Sequence, residues 1–402
     1  MRRTIEYVGA VETHDSRGTP TLAVTVVAGG QSGTVMVPSG ASTGEHEAHE
    51  LRDADGRGVQ TALTRLEGLI APALMGLDTA DQRNIDRVLL ELDGTTDKSH
   101  LGGNAMIGVS VACAKAAGGE DLVGHLRTLA NIAPSRKEPF LFMNMVNGGK
   151  HAHSRLSFQE FQVVPQVETV DEALALVHTF QDALFEELHR VYGPIPSGDE
   201  GGLALDVLSV KEPLDHMAAT AQKLGLEQTL AFGLDVAASS LYENGTYVVG
   251  GTTLSSEQLL SLHTEIVNAY PLVSIEDPFA EEDFSSFAAL QHALPNLVVI
   301  GDDLTTTSVE RLQHAIDQKS INAIIIKPNQ VGTLTETLET MTLARMHNID
   351  CIVSHRSGET EDNFIADLAV AFGCYGVKAG ALGPRERMAK YTRLQTLLTP
   401  RV

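Results

Sequence analysis

The stretch 322-NAIIIKPNQ-330 carries three consecutive isoleucines, Ile324 to Ile326, and stops abruptly on Lys327. A short run of β-branched residues reads as a strand covered on both faces. A cation at its end is either a solvated strand terminus or a group aimed into a site. One lysine does not decide between them.

Working outward, the same pattern recurs. From residue 230 onward, apolar runs end on a polar or charged residue at FGLD (Asp235), LVSIE (Glu276), LVVIGD (Asp302), AIIIK (Lys327), CIVSH (His355) and YGVK (Lys378). The intervals are 41, 26, 25, 28 and 23 residues, filled by helix-like segments such as SVERLQHAIDQ and LTETLETMTLARM. This is a βα period. Parallel strands joined by helices bring every strand's C-terminal end to one face, so the six residues are expected to converge on the mouth of a (β/α)8-type barrel. Six ends in register are hard to explain as six solvated termini.

Upstream, TPTLAVTVVAGGQSGTVMVPSG alternates apolar and polar positions across Gly29-Gly30 and predicts an antiparallel hairpin. A glycine-serine loop follows from Ser39 to Gly44. Helices are expected around 58–76, after the capping candidate Thr79, and over 103–118. The segment 131-NIAPSRKEP-139 reads as a linker, so the chain divides into an N-terminal α+β domain, 1–130, and a barrel domain, 140–402. Early in the second, Leu176, Phe180, Leu184, Leu188 and Val191 recur at helical spacing before Gly193.

The 402 residues are 43% hydrophobic with a net charge of -23, enough for a large core and repulsive to nucleic acid and acidic membrane. Any anionic substrate then needs local positive charge or a metal. The cysteines, Cys113, Cys351 and Cys374, show no metal or disulfide spacing. No run approaches the ~18 apolar residues of a membrane span. A soluble, unprocessed cytoplasmic protein with no nucleic-acid or membrane partner is the expectation.

Asp235, Glu276 and Asp302 bring three carboxylates together, and like charges in a partly desolvated site repel unless a cation lies among them. All-oxygen ligation favours Mg2+, with Mn2+ as a substitute. The alternative is a salt-bridge cluster with Lys327 and Lys378. Positive neighbours lower a lysine's pKa, which makes Lys327 the candidate base. A drop from ~10.4 to ~7–8 needs about 4 kcal/mol of differential stabilisation of the neutral amine. Removing a proton beside a carboxylate loads charge onto its oxygens, which metal ions stabilise.

The stretches DSRGTPT, VPSGASTGEHEAHELRD, NGGKHA, QEF, GDEGG, SIEDP, GDDL, IIIKPNQVGTLTETL, SHRSGETEDNFIADLAV and AKY resemble the enolase family over nearly the whole chain. The resemblance implies an enolase-type barrel, capped by the N-terminal domain with its mobile glycine-serine loop. It implies dehydration of 2-phosphoglycerate to phosphoenolpyruvate with two Mg2+ ions, the first held by Asp235, Glu276 and Asp302, the second bound with substrate through Ser42. Lys327 would take the C2 proton, Lys378 would hold the substrate carboxylate, and Glu200 would protonate the leaving hydroxyl, assisted by Glu160. Gln159 and His151 would line the pocket, and His355, Arg356 and Ser357 would bind the phosphate.

The sequence departs from the family pattern at Lys150, His153, Ser154 and Arg155, at LALD (Leu203 to Asp206), at Ser240 and at PRER (Pro384 to Arg387). Extra basic residues near a lid admit a second reading, a paralogue acting on a phosphonate relative, similar to carboxyphosphonoenolpyruvate synthase. A third is a structural or adhesive protein on the same scaffold. The family's dimer contact pairs an acidic residue with an arginine. Here Ala23 and Thr396 stand at those positions, and an exposed pair of that kind is worth about 0 to 1 kcal/mol, so a homodimer or higher homo-oligomer is still expected.

Overall fold

The computed structural model of the protein describes residues 3–40, 44–133 and 137–399. Ser42, and with it the centre of the glycine-serine loop, lies outside the described residues.

Three antiparallel strands, Ile5–His14, Pro20–Ala28 and Gln31–Met36, form the N-terminal sheet in chain order. The hairpin turns at Gly29 and Gly30, whose φ angles of 56° and 76° are the paired positive values that a tight two-residue turn requires. Helix Gly103–Gly118 lies on this sheet. A Cβ on Gly33 would stand 2.1 Å from the carbonyl oxygen of Ala112, so the close approach of helix to strand needs glycine there. The expected helix around 58–76 is observed as Gln60–Arg65, one π-helical turn over Leu66–Ile70, and Ala71–Leu74. The next helix, Gln82–Asp93, is capped by Asp81, whose side chain accepts from the Asn84 amide; Thr79 is not the cap.

The barrel has eight strands: Phe140–Asn147, Glu160–Pro165, Leu230–Asp235, Leu272–Glu276, Val298–Gly301, Ala323–Ile326, Asp350–Ser354 and Gly376–Lys378. The last pairs with the first, through Lys378 opposite Phe142, and closes the ring. Seven strands are parallel. The second, Glu160–Pro165, runs antiparallel to both neighbours, a reversal of the regular βα period. The 41-residue interval before Glu276 holds a small three-stranded sheet, Tyr242–Glu243, Thr246–Val249 and Thr252–Leu254, ahead of helix Ser256–Ala269. In helix Val170–Tyr192 the fully buried positions are Val177, Phe180, Leu184 and Leu188. Leu176 is only partly covered and Val191 is 45% exposed, because the face toward the barrel is rotated slightly from the expected stripe.

Strand alternation sorts the isoleucine run. Ile324 and Ile326 pack outward against the helices, in the main core. Ala323 and Ile325 point into the barrel, where they meet Phe142, Val164, Ile300 and Ile352. These six apolar side chains form the barrel floor.

The two domains are joined by buried polar contacts. Asp86 accepts from the Thr335 amide (2.8 Å) and hydroxyl (2.6 Å), and Ser110 accepts from the Leu334 amide (2.9 Å). Ser39 and Gly358 exchange backbone hydrogen bonds of 2.8 and 2.9 Å, which brings the N-terminal domain to the rim of the barrel mouth.

Candidate active site

Above the floor, the inward rows turn polar. Ile300 leads to Asp302, Ile325 to Lys327 and Ile352 to Ser354, while Asp235, Glu276 and Lys378 end their own strands. The antiparallel strand enters from the mouth, so its first residue, Glu160, joins the same ring of polar ends. Reversal is what brings Glu160 and the preceding Gln159 to the site. His355 follows the end of its strand. Ser354 holds the inward row, and His355 reaches the cavity only because the strand has ended.

One cavity is lined by His151, Gln159, Glu160, Glu200, Asp235, Asp302, Lys327, His355, Arg356, Ser357 and Lys378. Glu276 lies immediately beneath. Its carboxylate oxygens accept from Lys378 Nζ at 2.8 Å each, and Asp235 Oδ2 accepts from the same ammonium at 2.9 Å. Glu160 Oε1 lies 3.0 Å from it. Lys327 donates to Asp302, whose other oxygen accepts from Gln330 at 3.0 Å. Gln159 donates to Asp235 at 3.3 Å.

Electrostatics follow from this packing. Burial pushes the Glu276 carboxyl well above its ordinary range, and the charges of Asp235 and Asp302 add to it. Burial opposes the charge on Lys378, yet the surrounding carboxylates hold its pKa well above that of a free lysine. Lys327 is also raised: burial is the largest influence and lowers it, but the carboxylates around it, Asp302 first and then Glu276, together outweigh burial. The expected fall toward neutrality is therefore absent while Asp302 serves as its counter-ion. Neutralising Asp302 would leave burial, Arg356 and Lys378 to drive the amine down.

Across the cavity, Glu160, Glu200 and His151 present ligating atoms that all lie within 4.8 Å of one another. Glu200 accepts from Asn144 at 3.1 Å, and its other oxygen is 3.2 Å from His355 Nε2 and 3.5 Å from His151 Nδ1. Burial and the Glu200 charge push Glu160 well up. Burial pushes Glu200 up as well, but its contacts with His355 and His151 and the nearby Lys378 charge together hold it low. The two carboxyls are thus pushed apart, Glu160 toward its protonated form and Glu200 toward its ionised form.

Arg356 is 4% exposed and donates to Glu47 at 2.9 and 3.2 Å and to Asn329 at 3.1 Å. Glu47 also accepts from the Gly44 amide at 3.1 Å, so the guanidinium is tied to the end of the glycine-serine loop.

Residues 136–398 match the family Enolase, C-terminal TIM barrel domain, and residues 5–126 match Enolase, N-terminal domain. The enolase of Methanopyrus kandleri is 46% identical over 97% of this chain and 94% of its own length. That of Methanocaldococcus jannaschii is 43% identical (98% and 94%), and that of Aeropyrum pernix 44% (97% and 93%). The chain belongs to the enolase family. It is an enzyme of the carbon–oxygen lyase class.

The enolase-family site holds residues that sequence reasoning left without a role. Asp277 and Asp303 are the second acids of the SIEDP and GDDL stretches, and with Asp302 they form a further acidic group able to hold a cation. Asp277 accepts from the amides of Asp302 (2.9 Å) and Asp303 (2.7 Å) and so shapes the loop that presents Asp302. The doubled acids were the available signal. Glu47, Gln330 and Arg387 were also passed over. Nothing in sequence marks a polar residue of a loop or helix as inward-facing.

The departures from the family pattern fall outside the cavity. Lys150, His153 and Arg155 are exposed and none lines it. Arg155 pairs with Asp206, itself one of the departures, at 2.9 Å through Nε, so its charge is directed at a surface partner and not at a substrate anion. Extra basic residues near a lid were the ground for the phosphonate reading, and in this structure these three do not line the cavity.

A cation fits the donor set. The carboxylates of Asp235, Glu276 and Asp302 are all-oxygen, buried and mutually repelling, and ammonium groups already sit against each of them. Gln159 Oε1 is buried beside Asp235 without a partner, an additional oxygen facing the same ring.

Proposed function

We propose that the chain catalyses the Mg2+-dependent dehydration of 2-phosphoglycerate to phosphoenolpyruvate. The supporting observation is the cavity in which an amine at one strand end (Lys327), a carboxyl pair (Glu160 and Glu200), and a cationic anchor (Arg356) face the same space. A three-carbon acid carrying a phosphate presents one group to each.

Arg356, with Ser357 and His355, binds the phosphate, where a planar fork suits a dianion. Lys378 binds the carboxylate. Lys327 Nζ removes the C2 proton, and the electron pair of that C–H bond moves into the carboxylate. Its return forms the C2–C3 double bond and expels the C3 hydroxyl, which takes the proton of the Glu160/Glu200 pair and departs as water. His151 and Gln159 close the pocket beside the pair. Asp235, Glu276 and Asp302 would hold one Mg2+ and Ser42 would join a second that enters with substrate, together supplying positive charge to the carboxylate oxygens; Mn2+ would substitute.

The proposal includes an N-terminal capping unit, 1–130, over a catalytic unit, 140–402, assembled as a homodimer or higher homo-oligomer. Among the described residues no helix is long and apolar enough to cross a membrane, and the three cysteines are free and buried, which supports a cytoplasmic setting.

The test is direct. Protein, 2-phosphoglycerate and Mg2+ should give the ultraviolet absorbance of an enol double bond, abolished by EDTA and restored by Mg2+ or Mn2+. Folded, metal-loaded protein that produces no such absorbance overturns the reading. A carbon–phosphorus product formed only with phosphonoformate, seen by phosphorus NMR, would replace it with the phosphonate chemistry.

A further inference from the structure

Arg387, on the C-terminal helix Arg385–Leu398, has no exposed surface. Its one ion pair among the described residues is loose, 3.8 Å from Nε to Glu386. Desolvating a guanidinium without a close acid is unfavourable, and such a group persists only where its donors are well used. Here Nη2 donates to the carbonyls of Asp199 (2.9 Å) and Ser357 (2.7 Å). Nη1 reaches the Arg356 carbonyl (2.6 Å) and His355 Nδ1 (2.7 Å). One side chain thus joins the loop carrying Glu200 to the loop carrying His355, Arg356 and Ser357.

The contact with His355 fixes more than position. A guanidinium has donors only and does not give up its proton, so Nδ1 must accept. The single proton of a neutral imidazole then sits on Nε2, which faces Glu200 Oε1 at 3.2 Å. We infer that Arg387 is a positioning residue that fixes His355 as a neutral imidazole protonated on Nε2, the nitrogen beside Glu200.

Burial, reinforced by the Arg387 charge, lowers the His355 pKa to about 3, so the imidazole stays uncharged across the working range. A charged imidazole there would stabilise ionised Glu200 and weaken the acid pair. The consequence rests on the proposed function, in which that pair protonates the leaving hydroxyl. The tautomer itself does not.

Full-length protein with 15N-labelled histidines, His355 being assigned by the signal lost in His355→Gln, gives the tautomer from long-range proton–nitrogen correlations. A pyrrole-type Nε2 and a pyridine-type Nδ1 in the unsubstituted protein are expected. Arg387→Met should give mixed tautomers or a protonated ring and lower kcat on the order of 10²-fold with KM little changed. Arg387→Lys, which keeps a donor, should recover much of both. A proton on Nδ1 in the unsubstituted protein overturns the inference, as does Arg387→Met with unchanged tautomer and kcat. If Arg387→Met does not fold, the spectrum of the unsubstituted protein decides alone. Unsubstituted protein inactive on 2-phosphoglycerate but showing the expected tautomer would sink the reaction and leave the assignment of the imidazole standing.

Discussion

The floor and the mouth of the barrel belong to one ring of strands, and where one strand leads to both, as for Val164 and Glu160, Ile300 and Asp302, or Ile325 and Lys327, they stand two to four residues apart. The floor is Phe142, Val164, Ile300, Ala323, Ile325 and Ile352; the mouth is Glu160, Asp235, Glu276, Asp302, Lys327 and Lys378. Each large floor side chain contributes about 1.5–3 kcal/mol by leaving water. Each charge in the mouth loses hydration that its ion pairs only partly return. Alternation along a strand therefore decides which residues lie inside, while the chemistry asked of the site decides which of them are polar. The floor stabilises the barrel, and the mouth draws on that stability.

The comparison breaks first at Lys327. Lys327→Ala should lower kcat on the order of 10⁴-fold while thermal stability changes little, because its partner Asp302 remains hydrogen-bonded to Gln330. Activity within tenfold of the unsubstituted enzyme would remove Lys327 from the chemistry.

Lys378→Met tests the cost of the mouth. It leaves Glu160, Asp235 and Glu276 facing one another without their shared ammonium, so stability in EDTA should fall by about 3–5 kcal/mol in urea titrations. Added Mg2+ should recover part of that. Ile325→Ala, its counterpart on the floor, should cost about 2–5 kcal/mol with kcat per folded molecule nearly unchanged. If the two substitutions show the same response to Mg2+, floor and mouth are not distinct in the way argued.

A buried titratable group outside the mouth sharpens the contrast. His263 donates to the Pro278 carbonyl at 2.9 Å among Phe158 and Phe279, and burial lowers its pKa from 6.5 to about 4. Below pH 6.5 the unfolded chain takes up a proton that the folded chain refuses. Its contribution is thus full above 6.5 and should fade by about 3 kcal/mol as pH drops toward 4. His263→Gln should flatten that part of the stability profile without altering kcat at neutral pH. An unchanged slope would place the titration elsewhere.

At the surface the effect should be smallest. Arg155→Ala removes the pair with Asp206, both partners being about 60% exposed, and should leave the melting temperature and the KM for 2-phosphoglycerate nearly unchanged. A marked rise in KM would bring the loop departures back into substrate binding.

The parallel strands were legible because each carries two signals at once, an apolar run and a polar end, repeated at similar intervals. Lys327 could be placed at the mouth because it ends its strand in register with five others, although nothing in AIIIK tells which isoleucines face inward. The reversed strand was not legible: FQEFQVVP reads as a strand in either direction, and hydrophobic patterning carries no sense of chain direction. Nor was Arg387, since a helix position among Glu386, Lys390 and Arg393 looks solvated until the fold brings three carbonyls and an imidazole around it. The strand ends show the positive neighbours of Lys327, while the contact with Asp302 that raises its pKa comes only with the fold.

The central claim is that Lys327 is aimed at the hydrogen beside the substrate carboxylate while the Glu160/Glu200 pair serves the later departure of hydroxyl. Incubating 2-phosphoglycerate with Mg2+ in deuterium oxide and following deuterium at C2 by NMR separates the two. Glu200→Gln should exchange the C2 hydrogen while forming little phosphoenolpyruvate, and Lys327→Ala should do neither. Exchange by Lys327→Ala at the unsubstituted rate would contradict the account.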